Sequence, residues 1–333
     1  MDQLDALARA MDEVPSRRRQ TGATRIAVVG LGSIGSVAAG HLAATGRHSV
    51  IACARRPIER VVIEAPNEAV EVPLQAITDP EQAEPVDWVL LCTKAHQTPS
   101  AAQWLARLCR RSTRVAVLQN GIGQAARTAP FVGEAAVVPT VVTYSGERLG
   151  ADRVVLRQPA SFDLAVSSDA NGHDLAELFA GTPLRILVSD DLPALAWRKL
   201  LINSVANPLT ALTFQRLSIF RRNDVAALTS ALLEETIAVA RADGVHISED
   251  DILQSLRILR ELPADMTTSM YLDRMAGREL ETEAINGSIV AAGDRLGIPT
   301  PLNLALITLL NAIGDAGDSE PASNHAEPIV EWT

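Results

Sequence analysis

Cysteine is scarce in this sequence. Among 333 residues only Cys53, Cys92 and Cys109 carry thiols, widely spaced and odd in number. That excludes a disulfide framework and a C-x-x-C metal knuckle, and leaves buried structural thiols as the expectation. The six histidines show no H-x-x-x-H pairing, so no metal is expected. Long apolar runs are also missing. None approaches the ~20 residues that cross a bilayer. Met1-Asp2-Gln3-Leu4-Asp5 has neither the basic start nor the apolar middle of a signal peptide. A cytoplasmic protein with no membrane partner is expected. Positive charge is in deficit, with a formal net charge of −10. A phosphate backbone wants a basic face, so no nucleic-acid partner is expected. A small local anion pocket is compatible with that balance.

What is present is ordinary globular composition, 47% hydrophobic and 21% charged, over a length that suits about two domains. Residues 1–24 read as a flexible extension. Leu4, Leu7 and Met11 could form one short helical stripe, but Pro15 and Arg17-Arg18-Arg19 end it. Residues 315–333, rich in Asp, Glu, Pro, Ser and Asn, read as a disordered tail.

Between these ends the texture changes once. Strand-like runs at Ile26–Val29, His48–Cys53, Val86–Thr93 and Arg114–Leu118 alternate with helical patterns at Ser33–Thr45 and Pro99–Cys109. Such alternation predicts a parallel sheet covered on both faces. From Val137 to Ser167 the pattern turns to strands alone, expected to close the first domain. After Asp190 the patterns are helical: Ala194–Thr213, Asp224–Asp243, Glu249–Leu262, a segment around Thr268–Leu296, and Pro301–Ile313, with Gly244 and Gly297 as caps. The expected architecture is α/β, with a Rossmann-type parallel sheet domain over 25–190 and an all-helical domain over 191–314.

Gly30-Leu31-Gly32-Ser33-Ile34-Gly35 is G-x-G-x-x-G. The pattern alone is weak, but here it follows a strand and opens a helix, which is its confirming context. The first glycine permits the tight turn, the second admits a pyrophosphate against the backbone, and the third lets helix and strand pack. Free N–H groups at the helix start then face the phosphates. The second strand ends Cys53-Ala54-Arg55-Arg56. The carboxylate that would hydrogen-bond an NAD ribose is missing, and two guanidiniums stand there instead. NADP(H) is therefore the expected cofactor, with Arg55 the favoured contact. Ligands in open α/β sheets bind beyond the carboxyl ends of the strands. Lys94 and Asn120 follow two such ends. Lys94 could meet cofactor phosphate or ribose, and Asn120 could bridge cofactor and substrate.

Trp197–Leu212, WRKLLINSVANPLTAL, is mostly apolar, yet Lys199, Asn203 and Asn207 recur every four residues. On a helix they form one polar line. A surface face would carry more charge, and a core face would not tolerate an unpaired lysine. A line facing a substrate cleft meets both constraints. Solvent exposure, or contact with a neighbouring helix, is the structural alternative. In a cleft the Lys199 ammonium could protonate a ketone oxygen as hydride reaches carbon, aided by a lowered pKa.

GLGSIG, CTKAHQT, QNGIG, WRKLLINSVANPLTAL and SMYLDRMAGRELETEAING are separated along the chain. Together they resemble the ketopantoate reductase (2-dehydropantoate 2-reductase) family over roughly residues 25–313. The resemblance implies a helical domain like that of 6-phosphogluconate dehydrogenase. It also implies NADPH-dependent reduction of 2-dehydropantoate to (R)-pantoate, a step of pantothenate and hence coenzyme A biosynthesis. It makes Lys199 the proton donor and Asn203 and Asn207 substrate ligands. Ser269 becomes the carboxylate contact, and Glu281 a residue reaching the cofactor ribose or the substrate side of the cleft. Two positions depart from the family pattern: Leu217, where some members carry a third substrate Asn, and an apolar position near Met266, where some carry Asn. They keep open an NADPH-dependent reductase of another 2-oxo acid. A non-catalytic NADP-sensing protein is a more distant alternative, disfavoured by the intact Lys199 line. A 3-hydroxyacid dehydrogenase is disfavoured by the missing Ser-Gly-Gly motif. The Ala- and Leu-rich helical half could pair with a second copy as a homodimer.

Overall fold

The computed structural model describes residues 23–65 and 68–318. The expected extension and tail therefore lie almost wholly outside the described residues. Order begins with β1 (Thr24–Val29), whose Ile26, Ala27 and Val28 are fully buried. It leads through the glycine loop into α1 (Ser33–Ala44), then β2 (His48–Cys53). A hairpin follows, β3 (Arg60–Ala65) and β4 (Glu68–Pro73), and then β5 (Gln75–Ile77). Next come β6 (Trp88–Leu91), α2 (Ala102–Leu108), β7 (Arg114–Val117), α3 (Gln124–Thr128) and β8 (Ala136–Pro139).

The main sheet has six parallel strands in the order β5-β2-β1-β6-β7-β8. β1, β6 and β7 at its centre are largely buried, as a parallel sheet covered on both faces requires, whereas β2 is buried only at Ala52 and Cys53. The chain winds outward from β1 to β2 and β5, then returns to β6 and continues the other way. The switch between β1 and β6 is where such sheets open a ligand crevice. Register aligns the strand ends there: Val29 pairs with Cys53 and with Leu91, and Leu91 pairs with Val117. The glycine loop, Lys94 and Asn120 thus leave one edge of the sheet.

The strands expected between Val137 and Ser167 divide among three sheets. β8 completes the main sheet. β10 (Ser145–Arg148) and β11 (Arg153–Arg157) join the β3–β4 hairpin in the order β10-β11-β3-β4. β9 (Val141–Val142) and β12 (Leu164–Ser167) form a third sheet with β13 (Ile186–Ser189). α4 (Ala170–Leu178), capped by the Asp169 carboxylate accepting from Gly172 N–H, lies before β13. The hairpin, α4 and β13 are additions to what the periodicity predicts.

The second half is helical. α5 (Leu192–Thr213) starts where Asp191 accepts from Ala194 N–H at 3.1 Å. Leu192 packs with Val141 and Ala165, seating the start of α5 on the third sheet. α6 (Asn223–Ala242) and α7 (Asp250–Glu261) follow. The expected single segment around Thr268–Leu296 is broken. α8 (Ser269–Met275) stops before Gly277, whose φ of +60° admits no side chain comfortably. The chain then runs without helix to Glu281, makes one π-helical turn over Glu283–Gly287 and continues as α9 (Ser288–Leu296). α10 (Pro301–Asp318) is the last element. A core containing Trp197, Leu201, Val205, Leu232, Leu233 and Ile289 holds this half together, separate from the sheet's cores. Among the described residues no helix is long and apolar enough to cross a membrane.

Candidate active site

Two of the three loop glycines are required by the fold and the third faces open space. Gly30 has φ +96°, and a Cβ there would lie 2.8 Å from the Thr93 nitrogen. A Cβ on Gly35 would lie 2.0 Å from the Gly30 oxygen, so α1 can pack this close only without one. A Cβ on Gly32 would meet nothing within 4 Å, so this glycine faces open space. The first helical bond is Ser36 N–H to the Gly32 oxygen at 2.9 Å. The amides of Ser33, Ile34 and Gly35 donate to no described residue and remain for a ligand. The outer face is braced by β10 and its approach. Tyr144 donates to the Ile34 carbonyl at 2.8 Å, and Arg148 donates to the Leu31 carbonyl. Arg55 and Arg56 are exposed just beyond β2, without an ionic partner among the described residues. All three cysteines are free and buried, and burial pushes the Cys53 thiol up to about 12 and Cys109 up to about 11.

Facing the same edge is a chain of hydrogen bonds between the two halves. Lys94 Nζ donates to Glu281 at 2.8 Å and to Asp273 at 2.9 Å. Glu281 accepts from Asn120 Nδ2 at 3.0 Å and from the Ala95 amide at 3.3 Å. Asn120 Oδ1 accepts from Lys199 Nζ at 2.9 Å. The network fixes the Asn120 amide orientation, because its NH2 must face the carboxylate and its oxygen the ammonium. Lys199, itself half-buried, therefore points at the first half.

Electrostatics follow from burial and pairing. Burial pulls the Lys199 ammonium down to about 8, with the Glu281 charge opposing. Burial would raise Glu281, but the Lys94 charge and hydrogen bonds from Lys94, Asn120 and Ala95 hold it below the usual carboxylate range. Burial acts to lower Lys94, but Glu281 and Asp273 outweigh it and keep the ammonium charged.

Further along α5, Asn203 is half-buried and has no hydrogen-bond partner among the described residues. Asn207 is buried. Its Oδ1 accepts from Ser269 Oγ and the Met270 amide, both at 3.3 Å, leaving its NH2 free. Ser269 is exposed at the start of α8, whose cap Thr268 accepts from Tyr271 N–H at 3.1 Å. The predicted residues therefore form three groups. Lys94, Asn120, Lys199 and Glu281 are directly connected. Asn203 and Asn207 continue the same line of α5, and Ser269 meets it from the start of α8. Gly30–Gly35 and Arg55 lie along the sheet edge. The two departures from the family pattern touch each other, since Leu217 N–H donates to the Met266 carbonyl at 3.0 Å and Leu217 is buried.

Three participants are additions to the sequence reading. Asp273 bridges Lys94 and Arg278, whose Nε donates to it at 2.9 Å. Arg127 donates to the Ile122 and Asn120 carbonyls at 3.1 and 3.3 Å and braces that loop. Gln124 ties the Gln119 carbonyl to Thr140 at the ends of β7 and β8. Asp273 stands four residues after Ser269, a same-face spacing on a helix, and that was the available signal.

The chain as a whole is similar to known proteins. The family model "Ketopantoate reductase PanE/ApbA" matches residues 26–168, and its C-terminal companion matches residues 191–314. The chain belongs to the ketopantoate reductase family. A 2-dehydropantoate 2-reductase of Mycobacterium tuberculosis is 39% identical over 297 residues, covering 88% of this chain and 99% of that protein. One from Caulobacter vibrioides is 37% identical over 292 residues, covering 87% and 99%. A crystal structure of a PanE/ApbA family ketopantoate reductase from Ralstonia eutropha JMP134 superposes with a TM-score of 0.80 at 31% identity, covering 89% of this chain and all of that one. Ketopantoate reductases use a nicotinamide cofactor, and this loop fits one: three unpartnered amides and a glycine open to the crevice.

Proposed function

We propose that this protein reduces 2-dehydropantoate to (R)-pantoate with NADPH, supplying pantothenate biosynthesis in the cytoplasm. The observation that carries the chemistry is the Lys199–Asn120–Glu281 chain at the meeting of the two halves. NADPH, when bound, supplies a hydride to the carbonyl carbon. The remaining work falls to this chain's residues. Lys199 gives its proton to the carbonyl oxygen as the C=O π bond breaks, so ketone, hydride and proton sum to the alcohol. A lysine near pH 8 is close to the neutral range, which favours both a charged donor and an easy proton transfer. Asn120 holds the ammonium in place through its oxygen, and Glu281 holds Asn120 through its NH2. The unpartnered Asn203 side chain and the free NH2 of Asn207 are available to substrate oxygens, with Ser269 beside Asn207 for the substrate carboxylate. The Ser33, Ile34 and Gly35 amides suit the pyrophosphate, and the unpaired Arg55 suits the 2′-phosphate that distinguishes NADPH from NADH.

A second reading, reduction of another 2-oxo acid, is favoured by Leu217 and Met266, which are joined through their main chains and carry apolar side chains there. One experiment separates the two. NADPH absorbance is followed against a panel of 2-oxo acids, with the highest kcat/KM expected for 2-dehydropantoate. A higher value for another acid, or turnover with none, overturns the assignment.

A further inference from the structure

Pro208 lies inside α5, immediately after Asn207. Proline has no N–H, so the carbonyl of Ser204, four residues back, loses its helical donor. Ser204 is fully buried, and an unpaired carbonyl there would be costly. Its partner comes from the π-helical turn. Asn286 Nδ2 donates to the Ser204 oxygen at 2.9 Å and to Asn303 Oδ1 at 3.0 Å. The orientation of this amide is fixed by its neighbours. Asn303 Nδ2 donates to Glu235 at 2.9 Å, so Asn303 must turn its oxygen toward Asn286. Glu235 also accepts the Leu302 and Asn303 amides at 2.8 and 3.1 Å, anchoring the cluster to the start of α10. Asn286 and Asn303 are both fully buried. Asn286 Oδ1 has no partner among the described residues, a cost of about 1–3 kcal/mol for that atom that the two Nδ2 bonds offset.

The placement of this one bond matters because of what stands at each end. Ser204 is the residue next to Asn203. Asn286 is in the π-helical turn that begins just after Glu281, and the Glu281 carbonyl accepts from Ile285 N–H at 3.2 Å. The same turn touches the first half, since a Cβ on Gly121 would lie 1.9 Å from the Ala284 oxygen. A π turn inserts one residue into the helical repeat and recurs near functional sites. Here it carries Asn286 onto α5 and follows closely on Glu281, whose carboxylate faces Lys94 and Asn120.

We infer that Asn286 is a positioning residue, whose amide spans the gap left by Pro208 and fixes Glu281 relative to the Lys199–Asn203–Asn207 face of α5. It touches neither substrate nor cofactor and acts through Glu281 and Asn120 on Lys199. The inference rests on the reductase assignment above.

The test compares wild type, N286A and P208A/N286A in 2-dehydropantoate reduction, NADPH binding and Tm. N286A is expected to lower kcat about tenfold, leave the Kd for NADPH within about twofold, and lower Tm. Its alkaline pH limb should move to lower pH, because a displaced Glu281 no longer supports the Lys199 charge. P208A/N286A restores a main-chain donor to Ser204 and should recover Tm but neither kcat nor the limb. Recovery of kcat together with Tm would reduce Asn286 to a cap for one carbonyl. An N286A enzyme with wild-type kcat and pH profile would also overturn the inference. If N286A alone is insoluble, P208A/N286A against P208A carries the same comparison. Wild type inactive on 2-dehydropantoate but active on another 2-oxo acid defeats the substrate assignment, and the comparison then runs on that acid.

Discussion

The glycine loop and the Lys199 network occupy the same sheet edge but are made differently. The loop is local: six consecutive residues place their amides with backbone geometry, Gly30 and Gly35 answer demands of the fold, and Gly32 leaves open space. The network is non-local. Lys94 and Asn120 come from successive strand ends, Lys199 from a helix more than 70 positions later, and Glu281 from a turn more than 80 positions beyond that. A local site survives most changes elsewhere in the fold. A non-local one depends on the packing between its contributors. Perturbing the loop should therefore weaken cofactor binding alone, whereas perturbing the network should slow turnover while cofactor still binds.

The largest effect should come from Lys199→Ala. Removing a general acid costs about 10²–10⁴-fold in rate, so kcat is expected to fall by at least about a hundredfold, with the NADPH dissociation constant within about twofold by fluorescence titration. A Lys199→Ala enzyme that turns over normally would remove the proton donor from the mechanism. In wild type the sign of the pH dependence follows from the same group. Reduction needs the charged lysine, so the rate should be sustained below about 8 and fall as pH rises through it. Glu281→Gln keeps the shape but removes the charge that supports Lys199 and pairs Lys94. Its alkaline limb should sit at lower pH than wild type, with kcat reduced about ten- to a hundredfold. An unmoved limb would show that Glu281 does not act on Lys199 electrostatically.

How much of this was legible in the sequence follows from the same contrast. Strand β1, the glycine loop and α1 are read from one window, because period, turn and cap are all within it. The Lys199–Asn203–Asn207 line is also readable, since helical spacing alone puts its members on one face. Its target, Asn120, was not, because nothing in a helix says which strand end it will meet. The β3–β4 hairpin went unread although Val61-Val62-Ile63 and Val70-Glu71-Val72 flank a Pro66-Asn67 turn signal. Its strands pair outside the main sheet, so they do not belong to the strand–helix alternation that the sequence displays. The break in Thr268–Leu296 is stranger to periodicity still. Apolar spacing runs on across Gly277, but Glu281 must reach Lys94 and Ala95, and tertiary pairing overrides the helix.

A loop variant sharpens the other side of the comparison. Arg55→Ala should raise KM for NADPH about 10- to 100-fold, the worth of a charge-assisted phosphate contact at about 1.5–3 kcal/mol. KM for NADH and kcat with either cofactor should hardly change. Equal effects on both cofactors would leave Arg55 as a surface charge and take NADP preference elsewhere.

The smallest effect separates two amides on one helix. Asn207 already spends its oxygen on Ser269 and Met270, so Asn207→Ala should cost stability as well as substrate affinity. Asn203 makes no hydrogen bond within the described protein. Losing it removes only what it gives to substrate, about 0.5–1.5 kcal/mol for a neutral bond, or roughly two- to tenfold in KM. Asn203→Ala should therefore raise KM for the 2-oxo acid with Tm unchanged. A lowered Tm with unchanged KM would place its contact inside the fold and shorten the substrate face to Lys199 and Asn207.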